Sequence, residues 1–310
     1  MNAVRRGYLY AVVAYALWGV FPVYFKALRP AGPFEILAHR VIWSVVFVAI
    51  VLAIARRWRA LAALRHQRRK LAGIGLAAAF IAVNWGVYIY GVNTDHVVET
   101  SLGYFINPLV TVLLGVLALH ERLRSAQWIA VGIGAVAVVV LTIDYGRLPW
   151  IALALAFSFG MYGFVKKQLA LPATDGLFLE SSALALPALV YLVVLGAQGH
   201  STFGQGSAWH TVGLTLTGVA TAVPLLLFAG AANRLTLTAL GMIQYLAPTL
   251  QLLIGVAVYH EPMPPARWAG FGLVWLALVI FSVDGLRATN ARRRGVPAVT
   301  EPELSDVVSQ

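Results

Sequence analysis

Ten long stretches of the chain contain no Asp, Glu, Lys or Arg, and they dominate its pattern. They cover residues 7–25, 41–55, 71–94, 100–119, 125–143, 148–165, 181–199, 207–233, 235–259 and 268–283. Most approach the ~20 residues with which an α-helix crosses the ~30 Å hydrocarbon core of a bilayer. The second must begin before Arg40, and Pro33 suits a first helical turn, so we predict this span over residues 34–55.

These stretches predict the fold class. A bilayer core offers no water to unpaired backbone groups, and the alternation of polar and apolar residues that is typical of membrane barrel strands is absent. The sequence therefore predicts an all-α integral membrane protein with ten transmembrane helices. The opening span lacks a small-residue cleavage site, so we interpret it as a retained helix and not as a signal peptide.

Composition agrees with a membrane protein and narrows its chemistry. Of the 310 residues, 60% are hydrophobic and 11% are charged, whereas a soluble domain carries about 25% charged residues. The chain has no Cys, which excludes disulfides, iron–sulfur ligation and cysteine nucleophiles. Its seven His share no metal-ligand spacing, so we predict neither a metal nor a cofactor.

Basic residues alternate between the connections and predict the topology. Eighteen of them lie near the two termini or in the connections around 56–70, 122–124, 166–167 and 234. Only Lys26, Arg29, Arg147 and Arg267 lie on the other side. The positive-inside rule then places both termini of the multi-pass chain in the cytoplasm. No basic-aromatic module accompanies the net charge of +11, so nucleic acid is not an expected partner.

An internal repeat appears when the chain is compared with itself at an offset of 140. Residues 108–144 contain 12 identities at this offset. Among them are Pro108/Pro248, His120/His260, Glu121/Glu261, Trp128/Trp268 and Asp144/Asp284. A weaker match at an offset of 141 pairs Gly19 with Gly160 and Lys26 with Lys167. Many of these pairs are not common apolar residues, so the apolar composition does not explain their agreement. The chain therefore contains a duplicated unit.

The duplication divides the chain into two five-helix repeats, 1–145 and 146–287, followed by a cytoplasmic tail over 288–310 that its composition predicts to be disordered. Because each unit has an odd number of spans, the two halves must enter the membrane from opposite sides. Inverted repeats of this kind are the architecture of secondary transporters, which hold their substrate near the middle of the bilayer.

Polar residues on the predicted helices indicate where a substrate could bind. Tyr104, Pro108, Thr111 and Gly115 share one helical face, and their repeat partners are Gln244, Pro248, Gln251 and Gly255. These faces either line a wet cavity or pack around proline kinks. The third span adds Asn84 and Tyr88 on one face, with Trp85 beside it. Our candidate substrate-binding residues are Arg40, Asn84, Trp85, Tyr88, Tyr104, Asn107, Thr111, Gln244 and Gln251.

Arg40 lies about six residues inside the second span, roughly 9 Å from its start at 1.5 Å per residue. Three hypotheses explain a guanidinium at that depth. It binds an anionic group of the substrate through its planar fork, it snorkels to the periplasmic head groups, or it forms a structural ion pair with Glu35 or Glu99.

Four glutamates are candidates for coupling or gating: Glu99, Glu121, Glu180 and Glu261. The alternative for Glu99 is a favourable position in the first turn of a helix that Thr94 and Asp95 cap, and Glu35 has the same explanation. Glu180 follows Asp175, a predicted cap, and is a candidate for proton coupling or for recognition of a substrate amine. The repeated His-Glu pairs at 120–121 and 260–261 close two spans on opposite faces, as structural turns or as symmetric gates.

Several runs of sequence resemble a known family. YALWGVFPVYFK (15–26), HRVIWS (39–44), SLGYFINP (101–108), VPLLLFAGAANRL (223–235) and QYLAPTLQ (244–251) are similar to bacterial RarD proteins of the EamA branch of the drug/metabolite transporter superfamily. The resemblance extends over residues 5–287. It implies ten helices in two inverted halves and efflux of small organic molecules from the cytoplasm.

We therefore expect an inner-membrane secondary transporter that exports a drug or metabolite by alternating access. Its expected partners are a small-molecule substrate and the lipid bilayer, and it could act as a monomer or as a homodimer. A membrane-embedded enzyme is the alternative, but the chain has no HExxH, GxGD or phosphate-binding loop. A channel is a further alternative, although no filter-like repeat is visible.

The asymmetry of the basic residues generates a first prediction. Reporter fusions at either terminus, or in the connection that contains Arg65 and Lys70, should give cytoplasmic signals. A fusion beside Arg147 is the control and should give a periplasmic signal. A periplasmic signal from the 56–70 connection would overturn both the topology and the inverted arrangement of the halves.

Overall fold

The computed structural model describes residues 3–56, 58, 61, 67–119, 123–205 and 207–294, and this part of the chain is helical without a strand. The helices are α1 (Ala3–Gly19), α2 (Phe21–Ala27), α3 (Pro33–Ile54), α4 (Arg68–Asn93), α5 (Val97–Leu119), α6 (Ser125–Tyr145), α7 (Trp150–Leu169), α8 (Ala173–Ala197), α9 (Ala208–Ala232), α10 (Leu237–Ile243), α11 (Leu246–Leu253) and α12 (Pro265–Arg294). A π-helical turn, Ile254–Val258, continues α11. The predicted tail covers 288–310, but its residues 288–294 continue α12, and residues 295–310 lie outside the described part of the chain.

Eight helices of the described chain are long and apolar enough to cross a membrane. They are α3, α4, α5, α6, α8, α9, the segment Ala239–Val258 that joins α10 and α11, and α12. α1 and α2, bent by 41°, give a ninth if they form one span. α7 has 20 residues but is not among these spans, since Lys166 and Lys167 in its last turn lower its mean hydropathy. The structure confirms an all-helical membrane protein, and the tenth span stays a prediction.

Prolines explain why two predicted spans are not single straight helices. Pro22 lies in the first turn of α2, directly after the bend at Val20. Pro248 lacks the N–H that would bond to the carbonyl of Gln244, and the chain breaks between α10 and α11 at that residue. Its repeat partner Pro108 instead lies inside the continuous helix α5. The two repeat-related prolines therefore have different effects in the two halves.

The predicted cap of α8 is wrong. The helix begins at Ala173 after the N-cap Pro172, so Asp175 lies in its first turn. Glu180 lies farther along the same helix, and its side chain is buried. A carboxylate with hydrogen-bond partners can lie inside a buried helix.

The largest helix–helix interfaces join the two halves of the chain. α3 packs on α8 and α9, α4 packs on α7 and α8, and α5 packs on α7 and α11. α1 packs on α9 and α11, and α6 packs on α12. Consecutive helices within one half make smaller contacts, so neither half is a separate folding unit in this arrangement.

The repeat-related aspartates make ion pairs at opposite ends of the α6–α12 pair. Arg267 Nε donates to Asp144 Oδ2 at 2.8 Å, next to the end of α6. Arg124, the N-cap of α6, donates from Nε to Asp284 Oδ2 at 2.7 Å. Each aspartate therefore binds an arginine at the start of the other helix, which fixes α6 and α12 in an antiparallel arrangement.

The weaker match at an offset of 141 also corresponds to equivalent close contacts. A methyl group at Gly19 would lie 2.7 Å from Leu250 Cβ, so α1 approaches α11 closely there. A methyl group at Gly160 would lie 3.0 Å from Leu114 and 3.7 Å from Val110, where α7 approaches α5. Val110 is the position that the offset of 140 pairs with Leu250. Small residues commonly permit such contacts between membrane helices, where water does not drive association.

The outside of the helix bundle is apolar. Ile143, Leu186 and Trp209 are 76%, 71% and 83% exposed, and many other large apolar side chains share this surface. Such an extensive apolar exterior is unfavourable in water but suits contact with lipid tails.

Gly218 generates a prediction about the α3–α9 interface. A methyl group at this position would lie 2.3 Å from the carbonyl carbon and oxygen of Trp43, a contact with backbone that no rotamer can relieve. Gly218→Ala should therefore destabilise the protein by at least about 2 kcal/mol, measured as a lower melting temperature in detergent. Gly272→Ala is the control, because nothing lies within 4 Å of that position, and Ala favours a helix over Gly by up to about 1 kcal/mol. Equal melting temperatures for the two variants would contradict this packing.

Candidate functional site around Arg40

Arg40 lies in the second turn of α3, and its side chain is buried between helices of both halves. The residue is 4% exposed. Its Nε donates a hydrogen bond to Thr221 Oγ1 of α9 at 2.8 Å, and its Cζ lies 4.0 Å from the centre of the Trp85 ring on α4. A cation over an indole face gains some of the stabilisation that water would otherwise supply.

Aromatic rings form the rest of the surroundings of Arg40. The centres of the Phe25 and Phe21 rings of α2 lie 5.6 and 5.7 Å from Cζ. The Tyr88 ring meets the Phe25 ring edge to face at 6.0 Å and the Tyr104 ring at 5.7 Å. Both tyrosines interact electrostatically with the guanidinium. The site therefore combines one cation with a wall of flat rings.

Hydrogen bonds hold this aromatic wall in place. Asn84, 1% exposed on α4, donates from Nδ2 to the Leu155 carbonyl at 3.0 Å and to Ser158 Oγ at 3.1 Å. Tyr104 donates its hydroxyl to Asn84 Oδ1 at 3.2 Å. The Tyr88 hydroxyl is buried and has no hydrogen-bond partner in the described part of the chain. The Tyr104 hydroxyl therefore has a hydrogen-bond partner, and the Tyr88 hydroxyl has none among the described residues.

The structure contradicts two of the three hypotheses for Arg40. Snorkelling is wrong, because the side chain points into the bundle and is almost fully buried. An ion pair with Glu35 or Glu99 is also wrong. Glu35 accepts hydrogen bonds from the Thr202 N–H and from the Ser201 and Thr202 hydroxyls, and Glu99 pairs with Arg147. Both carboxylates have local partners that the sequence did not reveal.

The remaining polar candidates lie apart from the contacts of Arg40. Asn107 Nδ2 donates to the Ala156 carbonyl at 3.0 Å, which links α5 to α7. Thr111 is exposed, and its hydroxyl lies 3.5 Å from Asn107 Oδ1. Gln251 Nε2 donates to the Trp18 carbonyl at 3.1 Å, while its Oε1 is buried without a partner among the described residues. Gln244 lies at the break between α10 and α11.

Glu261 caps α5 from the other half of the chain. The N–H of Val97 donates to its Oε1 at 2.6 Å, and the N–H of Val98 donates to its Oε2 at 2.8 Å. The predicted caps Thr94 and Asp95 are wrong, since Thr94 is the C-cap of α4 and donates its hydroxyl to the Tyr90 carbonyl. A carboxylate at a helix N-terminus satisfies free N–H groups and interacts favourably with the helix dipole.

Glu261 belongs to an ionic cluster, which we define as Asp95, Glu99, Arg147, Glu261 and Arg267. Glu99 is 1% exposed and binds Arg147 Nη2 at 2.7 Å. It also accepts from the N–H of Ile151 in the first turn of α7 at 3.1 Å. A cavity of about 250 Å³ lies among the five members. The cluster therefore joins the starts of α5, α7 and α12 at one end of the bundle.

Lys26 and Arg29 bring the end of α2 to the same cluster. Lys26 Nζ binds Asp95 Oδ1 at 2.5 Å, and Arg29 lies 3.4 Å from Oδ2. The hydrogen bond from Lys26 and the positive charge of both basic residues lower the pKa of Asp95, with a smaller opposing effect of burial. Asp95 is largely exposed, so water screens much of this attraction.

A second arrangement of charges lies at the other end of the bundle. Glu180 binds Lys166 Nζ at 2.8 Å through Oε1 and accepts from the Tyr162 hydroxyl at 2.9 Å through Oε2. These contacts link α7 to α8. The candidate Glu121 lies outside the described residues.

Sequence reasoning missed three of the groups around Arg40: Thr221, Phe21 and Phe25. Thr221 had a signal, since Thr217 and Thr221 stand one helical turn apart on one face of a predicted membrane span. The two phenylalanines had none, because apolar rings in a membrane helix are indistinguishable from residues that face lipid.

Comparison with known proteins identifies the family. A model described as the EamA-like transporter family matches residues 5–143. Protein RarD of Streptomyces exfoliatus is 51% identical and covers 98% of this chain and 96% of its own. An uncharacterized transporter of Vibrio cholerae is 43% identical and covers 94% and 96%. A crystal structure of a protein only 18% identical, with a TM-score of 0.59, covers 91% and 98% and shows a shared fold.

Both relatives extend over nearly the whole chain at high identity, and the described helices have the length and apolar surface that membrane transport requires. The chain belongs to the EamA-like transporter family, among the multi-pass membrane proteins that include bacterial RarD.

Proposed function

We propose that this protein is a secondary transporter of the bacterial inner membrane, that its two inverted five-helix halves provide alternating access to the Arg40 site, and that it exports a small organic molecule. The observation that carries the proposal is the composition of the site. Arg40, Trp85 and Tyr104 come from the first half, and Thr221 comes from the second. Relative motion of the halves would therefore change access to the same bound molecule.

The equivalent contacts described above support inverted halves. Asp144 and Asp284 bind arginines at opposite ends of one antiparallel helix pair. Gly19 and Gly160 give close approaches between α1 and α11 and between α7 and α5. An operation that exchanges the halves would interchange each of these contacts with its counterpart.

The ionic cluster is the candidate gate at one end of the bundle. Glu261 reaches across from the second half to cap α5, so the two ends cannot separate there without freeing the N–H groups of Val97 and Val98. The distribution of basic residues assigns this end to the periplasm. With this orientation, the contacts of Glu261 support a state that is closed toward the periplasm. The export direction rests on the family resemblance.

The repeat suggests a matching gate for the opposite state. An offset of 140 pairs Glu121 with Glu261, and it pairs residues 237–238 with 97–98. We therefore expect Glu121 to cap α10 when the cytoplasmic end is closed. Among the described residues, the Thr236 hydroxyl caps that helix at its third position, where it accepts from the Ala239 N–H at 3.2 Å.

Glu261→Gln tests this gate. A neutral amide offers one acceptor where the carboxylate offers two, so the cap on α5 should weaken by about 2 kcal/mol, equivalent to about thirtyfold in the closed-to-open ratio. The reporter is Ser101→Cys in this cysteine-free chain, a fully buried position one turn inside α5. Its labelling by a membrane-impermeant thiol reagent should rise about thirtyfold from the periplasmic side of right-side-out vesicles and fall from the cytoplasmic side of everted vesicles.

His260→Asn is the matched control, since His260 is exposed, has a positive φ of 53° and is a neighbour of Glu261; Asn tolerates that conformation. Glu121→Gln should shift labelling in the opposite direction. Simultaneous access from both sides would indicate a channel, and no change in Glu261→Gln would refute the gate.

A further inference from the structure

We propose that the Arg40 site binds a small organic monoanion, with a carboxylate on the guanidinium edge and a flat apolar body among the rings of Trp85, Tyr88 and Phe25. This inference rests on the transport function proposed above and names its substrate class. The observation that carries it is the position of Arg40, which is buried among aromatic rings without a described carboxylate to balance its charge.

The acidic side chains of the described chain are all engaged elsewhere. Glu35, Glu99, Glu180 and Glu261 have the partners given above. The same holds for Asp95, Asp144 and Asp284. Asp175, the last of the eight, also has partners, and none of its described ones is Arg40. Arg40 is therefore buried without a carboxylate partner from the described part of the chain.

The hydrogen-bonding capacity of Arg40 is mostly unused. Of the five N–H groups of a guanidinium, only the one on Nε has a partner in the described chain, Thr221 Oγ1. Because Thr221 donates its own proton to the Thr217 carbonyl, its oxygen is free to accept from Nε. Thr221 thereby fixes one edge of the fork and leaves the Nη groups for a bidentate acceptor, the arrangement that matches a carboxylate.

The Tyr88 hydroxyl, on a ring that packs against Phe25, is buried without a described partner and supplies a further donor in the site. A buried hydroxyl without a hydrogen bond is unfavourable for folding, and a ligand oxygen would relieve it. The guanidinium neutralises a single negative charge, and the hydroxyl adds a hydrogen bond. A phosphate dianion would keep a second negative charge without a partner in this apolar setting.

The walls of the site determine the rest of the ligand. The ring of Trp85 covers one face of the guanidinium, and Phe21, Phe25, Tyr88 and Tyr104 extend the apolar surface. These flat surfaces favour an aromatic or other planar body. An ammonium group on the ligand would meet the positive charge of Arg40 with no described carboxylate in contact to balance it. The site should therefore prefer aromatic acids to amino acids and amines.

The experiment uses the purified full chain in lipid nanodiscs and three probes that differ in one group: 3-phenylpropanoate, 3-phenylpropanamide and 3-phenylpropylamine. The acid should raise the melting temperature saturably, and the amide and amine should bind at least tenfold more weakly. Arg40→Gln should abolish binding of the acid, and Arg40→Lys should weaken it at least tenfold, because an ammonium lacks the two-point geometry. Arg287→Gln, at an exposed position on α12, is the control and should bind as the unmodified protein does.

Stability without a ligand separates recognition from a structural role. Because Arg40 has no described counter-charge, Arg40→Gln should keep or raise the melting temperature of the empty protein. Tyr88→Phe should do the same and weaken binding of the acid severalfold. Tyr104→Phe should instead lower the melting temperature, since it leaves Asn84 Oδ1 without its donor. Unchanged acid binding in Arg40→Gln, together with a lower melting temperature, would overturn the proposal.

Flux in liposomes distinguishes failure of the substrate class from failure of the transport function. Flux of the amine or amide without binding of the acid would overturn the anion proposal and leave a transporter. Binding of the acid that depends on Arg40, with no flux of acid under either gradient, would support the site and count against transport.

Discussion

A bilayer interior penalises every charge that has no partner, and this penalty determines where the charged residues of the protein lie. The described carboxylates find basic side chains, hydroxyls or backbone N–H groups within reach, mostly near the ends of the bundle. Arg40 is the exception. The cost of burying it is only partly offset by Thr221 and Trp85, so its presence requires another explanation. A transporter that must attract an anion into a membrane and then release it has a use for such an incompletely compensated cation.

The packing between the two halves connects this site to the ends of the bundle. Water does not drive membrane helices together, so close contact through small residues takes its place. A methyl group added at Gly103 would lie 2.8 Å from the Ala152 carbonyl oxygen, and Gly218 lies against the backbone of Trp43. These contacts join α5 to α7 and α9 to α3, each across the halves. The helices that carry Arg40, Tyr104 and Thr221 are therefore positioned by the same interfaces that a relative motion of the halves would alter.

The sequence predicted the helical fold because the lack of charge over about 20 residues is a direct consequence of bilayer thickness. It also placed Arg40 inside a span and grouped Asn84, Trp85, Tyr88 and Tyr104 near a binding region, although their role stays a proposal. The sequence did not predict which distant residues contact each other. Thr221 is 181 residues from Arg40 and Glu261 is 164 from Val97, and contacts at such separations depend on three-dimensional packing that periodicity does not encode. Rules that consider only neighbouring residues therefore gave the wrong partners. They selected Thr94 and Asp95 as the caps of α5, and Glu35 or Glu99 as the ion-pair partner of Arg40.

Differences between the two halves carry as much information as their similarities. Pro108 lies within the continuous helix α5, while its repeat partner Pro248 follows a break. Under the proposed inverted repeat, two halves with matching sequence elements but unlike local contacts would represent two conformations of one unit. If the halves exchanged these conformations, the closed end would open and the opposite end would close, with no new kind of contact required. The observed asymmetry is therefore what a single state of an alternating-access cycle should contain.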